Sequence, residues 1–582
     1  MKSFGRLKDF FKEHKWSYVL GIAWLLLVDA MQLIVPQIMG SLIDAFQDNL
    51  LDRSGILRYC IYIMVTGLLI GAGRYFWRIY INGNSRKLEY YLRKTLFEHL
   101  LTLSPNYFNH HKTGDLMSHA TNDINAIRMS MGFGLIMSVD ALFLISFSLF
   151  MMVRTTNLTL TAFSLFNLPI IFLVTRKFGN LIYGRSRRVQ EAFSELTEVT
   201  QESFAGIRVI MSFVQEDLVG DNFTMVNDDN LRKNLSLVKV SGSFRPLLEF
   251  LSALSLLATL YLGGRMVILG RISLGNFVAF TSYLGLLNWP VRAVGMLINV
   301  FQRGAASMDR INKILDEEPE IKDAENPIFP DDIKGRIEFR RVTFKYQGSK
   351  YPALEDINFT VEAGKTLAIV GRTGSGKTTI VNLLLRLYDI DKGEILIDGI
   401  NIKDLSLKAL RENIGYVPQD NFLFSRTIAE NIAFAFDEEP AFDEIVKASQ
   451  LAQVYDNIMD FPDKFDTILG ERGVTLSGGQ KQRTSIARAV IKKPPILILD
   501  DSLSAVDTET EEKIISNIKD ITRNTTTIII AHRISTIKHA DEILFLEEGR
   551  IVERGNHEEL LALKGQYSDL YEKQLLEERI KG

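Results

Sequence analysis

Eight consecutive residues, Gly371, Arg372, Thr373, Gly374, Ser375, Gly376, Lys377 and Thr378, read G-x-x-x-x-G-K-T. Glycines at this spacing let backbone amides turn inward around phosphate oxygens, and the helix that follows aims its dipole at the same anion. Lys377 is placed to neutralise the β- and γ-phosphates, and the Thr378 hydroxyl, with Thr379 beside it, to meet a magnesium ion. Downstream, PILILDDSLSAVD runs four apolar residues straight into two aspartates. Acids at the C-terminal end of a buried strand lie where open α/β sheets put their ligands. Asp500 is suited to hold magnesium, and Asp501 stands where a catalytic base is expected.

The elements that must position these residues are legible around them. TLAIV before the glycines and ILIL before the acids are short apolar runs, the pattern of strands buried on both faces. An apolar-periodic helix follows Lys377. GRIEFRRVTFKY, which opens this half, alternates like a strand, and TTTIII leads into His532. Residues 336–582 therefore read as a soluble α/β P-loop domain.

The chain has 582 residues, 47% hydrophobic and 24% charged, a globular average that hides a split. Its formal charge of -3 gives no sign of nucleic-acid binding. The single cysteine, Cys60, excludes an intrachain disulfide framework and a cysteine-based zinc site, and is expected to pack among apolar neighbours. Residues 1–314 carry long apolar runs. Six meet the length of a membrane span, near residues 17–44, 57–81, 130–153, 157–178, 247–269 and 276–304. The long connections 82–129 and 179–246 are rich in Lys and Arg, which marks them as cytoplasmic and puts both termini on that side. They keep helical periodicity, so the spanning helices should run on into the cytoplasm. The first residues alternate basic side chains with Phe4, Leu7, Phe10 and Phe11, as in an amphipathic helix on the inner membrane surface. The expected class is an all-α membrane domain of six helices, then an acidic, proline-bearing linker at 315–335, then the α/β domain.

Polar groups within spans are costly and mark function or pairing. Asp29 and Asp140 fall near mid-span, Gln32 shares a face with Asp29, and Arg292 lies in the last span. They either line a polar cavity for a substrate, a cationic one for the two acids, or pair between helices, as an aspartate with Arg292 would. Arg74 and Arg78 are expected to snorkel or pair.

One further motif identifies the family. Leu476-Ser477-Gly478-Gly479-Gln480 precedes the helix-like KQRTSIARAVIKK, a second phosphate site at a helix start. With the glycine-rich loop upstream and the acidic strand downstream, this resembles an ATP-binding cassette. The whole chain, six spans and one cassette, is similar to a type IV ABC exporter half-transporter. The resemblance implies ATP and Mg2+ as cofactors, Tyr346 as the aromatic under adenine, and Gln419 as the glutamine that touches magnesium and the attacking water. It implies His532 as the switch histidine and Asp507 as an aspartate acting across a dimer. Ser477, Gly478, Gly479 and Gln480 would close over the nucleotide of the partner chain. Glu471, the segment from Tyr107-Phe108 and the segment Ala205 to Ile210 resemble the contacts between cassettes and cytoplasmic loops.

The family usually has glutamate after the magnesium-binding aspartate; this chain has Asp501, one methylene or roughly 1.5 Å shorter. A poorly placed base typically costs about 10²–10⁴ in rate. The pattern resembles the degenerate-site subunit of heterodimeric bacterial multidrug exporters. That implies slow hydrolysis at this chain's own site and a partner half-transporter bearing the glutamate. The expected function is ATP-driven export of hydrophobic small molecules, cationic drugs among them, across the bacterial cell membrane by alternating access. The alternatives are a homodimeric lipid or peptide exporter and an ATP-gated regulator that does not pump. The spans exclude a soluble cassette alone.

Overall fold

The structure, a computed structural model, describes residues 3–166, 168–330, 332–470, 476–503, 506, 508–521 and 525–581. Asp507 and Glu471 lie outside these. The chain forms two units, one of Met1–Leu101 with Thr113–Glu317, the other of Thr102–Lys112 with Glu318–Gly582.

The first unit is helical. Five of its helices, Lys15–Gln47, Arg53–Leu100, Thr113–Thr155, Leu158–Ala205 and Glu216–Ile268, are long and apolar enough to cross a membrane by length and composition. The last has 53 residues, about 80 Å at 1.5 Å per residue, against roughly 30 Å of hydrocarbon. Such helices run well beyond a bilayer, as the periodicity of the connections requires. The expected span 276–304 is instead two helices, Leu274–Leu286 and Asn288–Asp316. Pro290 has no N–H to offer the Leu286 carbonyl, and the break falls at that missing bond, whereas Pro36 and Pro246 lie inside unbroken helices. The expected span 157–178 is broken after Ser164, and the next helix begins at Leu168 with Pro169 in its first turn, where a missing N–H costs nothing.

Small residues let these helices approach. A Cβ on Gly275 would sit 2.0 Å from the Gly40 carbonyl oxygen. Asp44 caps the helix from Leu274, accepting from the Gly275 N–H at 2.6 Å and the Ser273 hydroxyl at 2.7 Å. Thr259 donates to Ser164 at 2.7 Å between buried helices. The amphipathic N-terminus is a correction: Leu7 and Phe10 are buried against protein, not spread on a membrane surface. Phe10 packs on Tyr91, Asn312 donates to the Ser3 carbonyl, and Arg6 pairs with Asp316. Cys60 is exposed on its helix, not packed among apolar neighbours.

Among the described residues the second unit holds ten strands in two sheets. They are β1 (Ile337–Phe344), β2 (Leu354–Val361), β3 (Thr366–Gly371), β4 (Lys392–Ile397), β5 (Ile400–Asn401), β6 (Ile414–Val417), β7 (Ile496–Asp500), β8 (Thr526–Ile530), β9 (Glu542–Glu547) and β10 (Arg550–Gly555). β2-β1-β4-β5 form one sheet and β10-β9-β3-β8-β7-β6 the other. In the larger sheet β6, β7, β8, β3 and β9 are parallel. Ile369, Ile530 and Asp500 lie level across β3, β8 and β7. The glycine loop, the acids and His532 therefore leave one edge of one sheet. β7 and β8 are buried along their whole length, which explains their unbroken apolar runs. Each buried Ile or Leu contributes about 1.5–3 kcal/mol.

The acidic stretch before β1 is pinned along its length. Ile328 pairs with Leu405, Asp323 accepts the Leu407 N–H at 2.7 Å, and Ile333 is buried.

Candidate functional site

The glycine loop bends from β3 into the helix Lys377–Leu384. Gly374 and Gly376 have φ of 82° and 101°, a region that disfavours side chains. A Cβ on Gly376 would also lie 2.7 Å from the Ala353 carbonyl. Lys377 is buried and donates to the carbonyls of Gly371 and Arg372, both at 2.9 Å. Burial pulls its pKa below the usual lysine value, with Asp500 and Asp501 opposing. Arg372, Thr373 and Gly374 are exposed, and Ser375 and Thr379 are buried.

Tyr346, Thr373, Gly374, Gly376, Lys377, Thr378, Thr379, Gln419, Asp500, Asp501 and His532 share one cavity of about 360 Å³. At its floor the Thr378 hydroxyl lies 3.3 Å from Asp500 Oδ1. Burial raises the Asp500 pKa, against the Thr378 hydrogen bond and the charges of Lys377 and His532. Asp500 Oδ2 and Ser375 Oγ are buried with no hydrogen-bond partner. A buried acid oxygen and a buried hydroxyl at the mouth of a positively charged loop suit a divalent cation and a phosphate chain. The residues present therefore fit ATP with magnesium. At the far end Tyr346 donates to Thr379 at 3.2 Å and sets its ring edge-on to Tyr388 and Phe344.

Asp501 is half-buried and turns off the sheet with φ of 47°, its N–H bonded to the Ile530 carbonyl at 2.9 Å. Aspartate tolerates this left-handed conformation better than most residues. Gln419, two residues past β6, and His532, two past β8, face the cavity from exposed positions.

None of Ser477, Gly478, Gly479 and Gln480 lines this cavity. Ser477 caps the helix Gly478–Val490 in a reciprocal box with Gln480, which leaves the two glycines to open the helix start.

Residue types gave no sign of the frame that holds His532. Gln574, on the C-terminal helix Gln566–Lys581, donates to the His532 carbonyl at 2.6 Å and accepts the Ile534 N–H at 2.9 Å. Glu511 is buried and accepts from Arg533 at 3.0 Å and from Thr536. Arg533 also donates to the Val506 carbonyl at 3.1 Å. The one available signal was a charge at 511 on the face that carries buried Ile514.

In the membrane unit, Asp29 and Asp140 are neighbours that interact with each other, and the charge of Arg74 reaches both. Asp29 is buried and Asp140 half-buried. The acids meet each other; the Arg292 side chain lies outside the described residues. Gln32 is half-buried one turn from Asp29. Arg74 and Arg78 line an open cleft of about 590 Å³ with Gly71, Tyr75 and Ile79.

Residues 18–291 match the model of the ABC transporter transmembrane region, and residues 354–504 that of the ABC transporter cassette. The chain is 40% identical to the probable multidrug resistance ABC transporter ATP-binding/permease protein YheI of Bacillus subtilis, over 98% of this chain and 97% of that one. It is 36% identical to the multidrug resistance-like ATP-binding protein MdlA of Escherichia coli, over 99% and 97%. It is 39% identical to an ATP-dependent lipid A-core flippase of Haemophilus influenzae, over 84% and 83%. A solved bacterial Atm1-family ABC exporter with ATP bound matches at a TM-score of 0.79 and 26% identity, over 97% of this chain and 99% of that one. A helical multi-pass membrane domain and a phosphate-binding cassette on one chain, with these relatives, place the protein in the ABC transporter family, as an exporter of the type IV fold.

Proposed function

We propose that this exporter chain is the slow half of an unequal pair that pumps hydrophobic drugs, cationic ones among them, out of the cell. The observation that carries the reading is Asp501. It occupies the base position in a cavity where Lys377, Thr378, Gln419, Asp500 and His532 are all present. Its carboxyl stops roughly 1.5 Å short of where a glutamate would reach. A base must come within hydrogen-bond distance of its water, directly or through one bridge.

Each residue then has a task. Tyr346 offers a face to the adenine ring. The loop amides and Lys377 hold the phosphates, and Thr378, Asp500 and Gln419 are the ligands for magnesium. Magnesium, when bound, neutralises charge on the phosphates. His532 steadies the terminal phosphate, while Asp501 polarises the attacking water poorly. The helix start at Ser477, Gly478, Gly479 and Gln480 is intact and serves a partner chain that carries the glutamate, and Asp507 is assigned to act across the dimer.

In this reading ATP closes the cassettes, the spans open outward, and hydrolysis at the partner's site resets them. Both termini are cytoplasmic, on the side of the basic connections. The drug substrate is supported by the multidrug names of the YheI and MdlA relatives. The flippase relative supports a second reading, export of a lipid. Single-turnover hydrolysis, resolved by site in the transporter purified with its partner, tests the pairing. ATP should persist at this chain's loop after the other site has turned over, and equal rates would sink the proposal.

A further inference from the structure

The short helix Pro105–His110 interrupts two long membrane helices and groups with the cassette. It touches the cassette at three polar points. Ser104 and Asn106 both donate to Glu320 at 2.9 Å. Asn106 also donates to Gln347 at 2.6 Å, and Asn109 donates to the Tyr388 hydroxyl at 3.0 Å. Gln347 follows Tyr346 directly in the chain. Tyr388 stands edge-on to the Tyr346 ring, centroids 5.2 Å apart at 86°. Two of the three cassette partners of the asparagines, Gln347 and Tyr388, therefore adjoin the aromatic under the nucleotide base.

We propose that this helix reads base occupancy directly, through Asn106–Gln347 and Asn109–Tyr388, independently of the phosphate groups. The inference rests on Tyr346 being the base platform. A base stacked on Tyr346 holds its ring. The held ring fixes Tyr388 and the backbone at Gln347, and so fixes the acceptors of Asn106 and Asn109. A bare phosphate chain reaches Lys377 and Thr378 without touching Tyr346. Linkage makes the effect reciprocal: if the base tightens the helix, the helix tightens base binding by the same factor.

The test is amide hydrogen exchange of residues 102–112 in the complete transporter, with Mg-ADP and Mg-pyrophosphate as probes. ADP should slow exchange about fivefold, the lower end of usual coupling, and pyrophosphate should not. In Asn106→Ala/Asn109→Ala the ADP effect should vanish. ADP affinity should fall about fivefold while pyrophosphate affinity stays unchanged. Tyr388→Phe, which keeps the ring and loses only the hydroxyl, should weaken the ADP effect in the same direction and decides the matter if the double variant does not fold. Equal protection by the two probes, an ADP effect that survives both variants, or equal loss of affinity for both probes would overturn the inference. Tyr346→Ala separates the premise: if it leaves the ratio of ADP to pyrophosphate affinity unchanged, the base platform is wrong.

Discussion

Thr378 and Asp500 meet at 3.3 Å although they are 122 positions apart in the chain. One closes the glycine loop and the other ends β7, two strands away in the sheet. The parallel register brings them level, and burial leaves Asp500 Oδ2 with no partner. Buried unpaired polar atoms cost about 1–3 kcal/mol, so the site is held ready for a cation at some expense of stability.

Asp500→Asn should therefore stabilise the ligand-free cassette and abolish magnesium-dependent ATP binding. About 1 kcal/mol would raise Tm by about 2–4 °C. The sign with pH follows from burial, which raises the Asp500 pKa above its unfolded value. The stabilising protonation is complete below the unfolded pKa and is lost as pH rises through the folded one. Magnesium requires the ionised acid. Its affinity should start to fall, on acidification, at a higher pH than an ordinary aspartate would give. Isothermal titration across pH checks this through the protons released on binding. A magnesium affinity flat down to the ordinary aspartate range would contradict it.

The frame around His532 gives a second prediction. Gln574→Ala removes both bonds that bracket His532, at His532 O and Ile534 N. We expect single-turnover hydrolysis at this chain's own site to slow by about tenfold with ATP affinity nearly unchanged, since each hydrogen bond contributes about 1 kcal/mol. Glu511→Ala should instead lower cassette stability by about 1–3 kcal/mol, as Arg533 and Thr536 lose their shared acceptor. Site-resolved single-turnover hydrolysis and denaturant unfolding distinguish the two.

The paired acids of the membrane unit give a third. Asn at 29 or 140 keeps the shape and a hydrogen bond but removes one carboxyl. If the pair takes up a cationic substrate, either change should weaken transport of a cationic dye about 10–100-fold, the range for a lost charge-assisted bond, and spare a neutral dye. Dye uptake in sealed inverted vesicles measures this. Equal losses for the two dyes would make the pair a structural contact.

Much of this was readable in advance because it is local. The glycine spacing, the apolar strands β3, β7 and β8, and the capped helix start at Ser477 each declare themselves within a few residues. What sequence could not show is set by distant contacts. Gln574 reaches His532 from 42 residues away. That Asp29 meets Asp140 is set by how helices from different parts of the chain pack. The break at Leu287 needed only Pro290, a local signal outweighed by the length of the apolar run around it. Leu7 and Phe10 show that an amphipathic pattern fixes which face is buried but not whether protein or lipid covers it.

The account turns on Asp501, and Asp501→Glu tests it most directly. The variant is made in the transporter purified with its partner, and a thermal melt confirms that the folded state is as stable as in the wild type. Steady-state ATPase is then compared with the wild type. Restoring the longer base should raise ATPase activity, with site-resolved single-turnover hydrolysis at this chain's loop faster by about 10²–10⁴. Unchanged activity at that site would show that Asp501 is not what limits it.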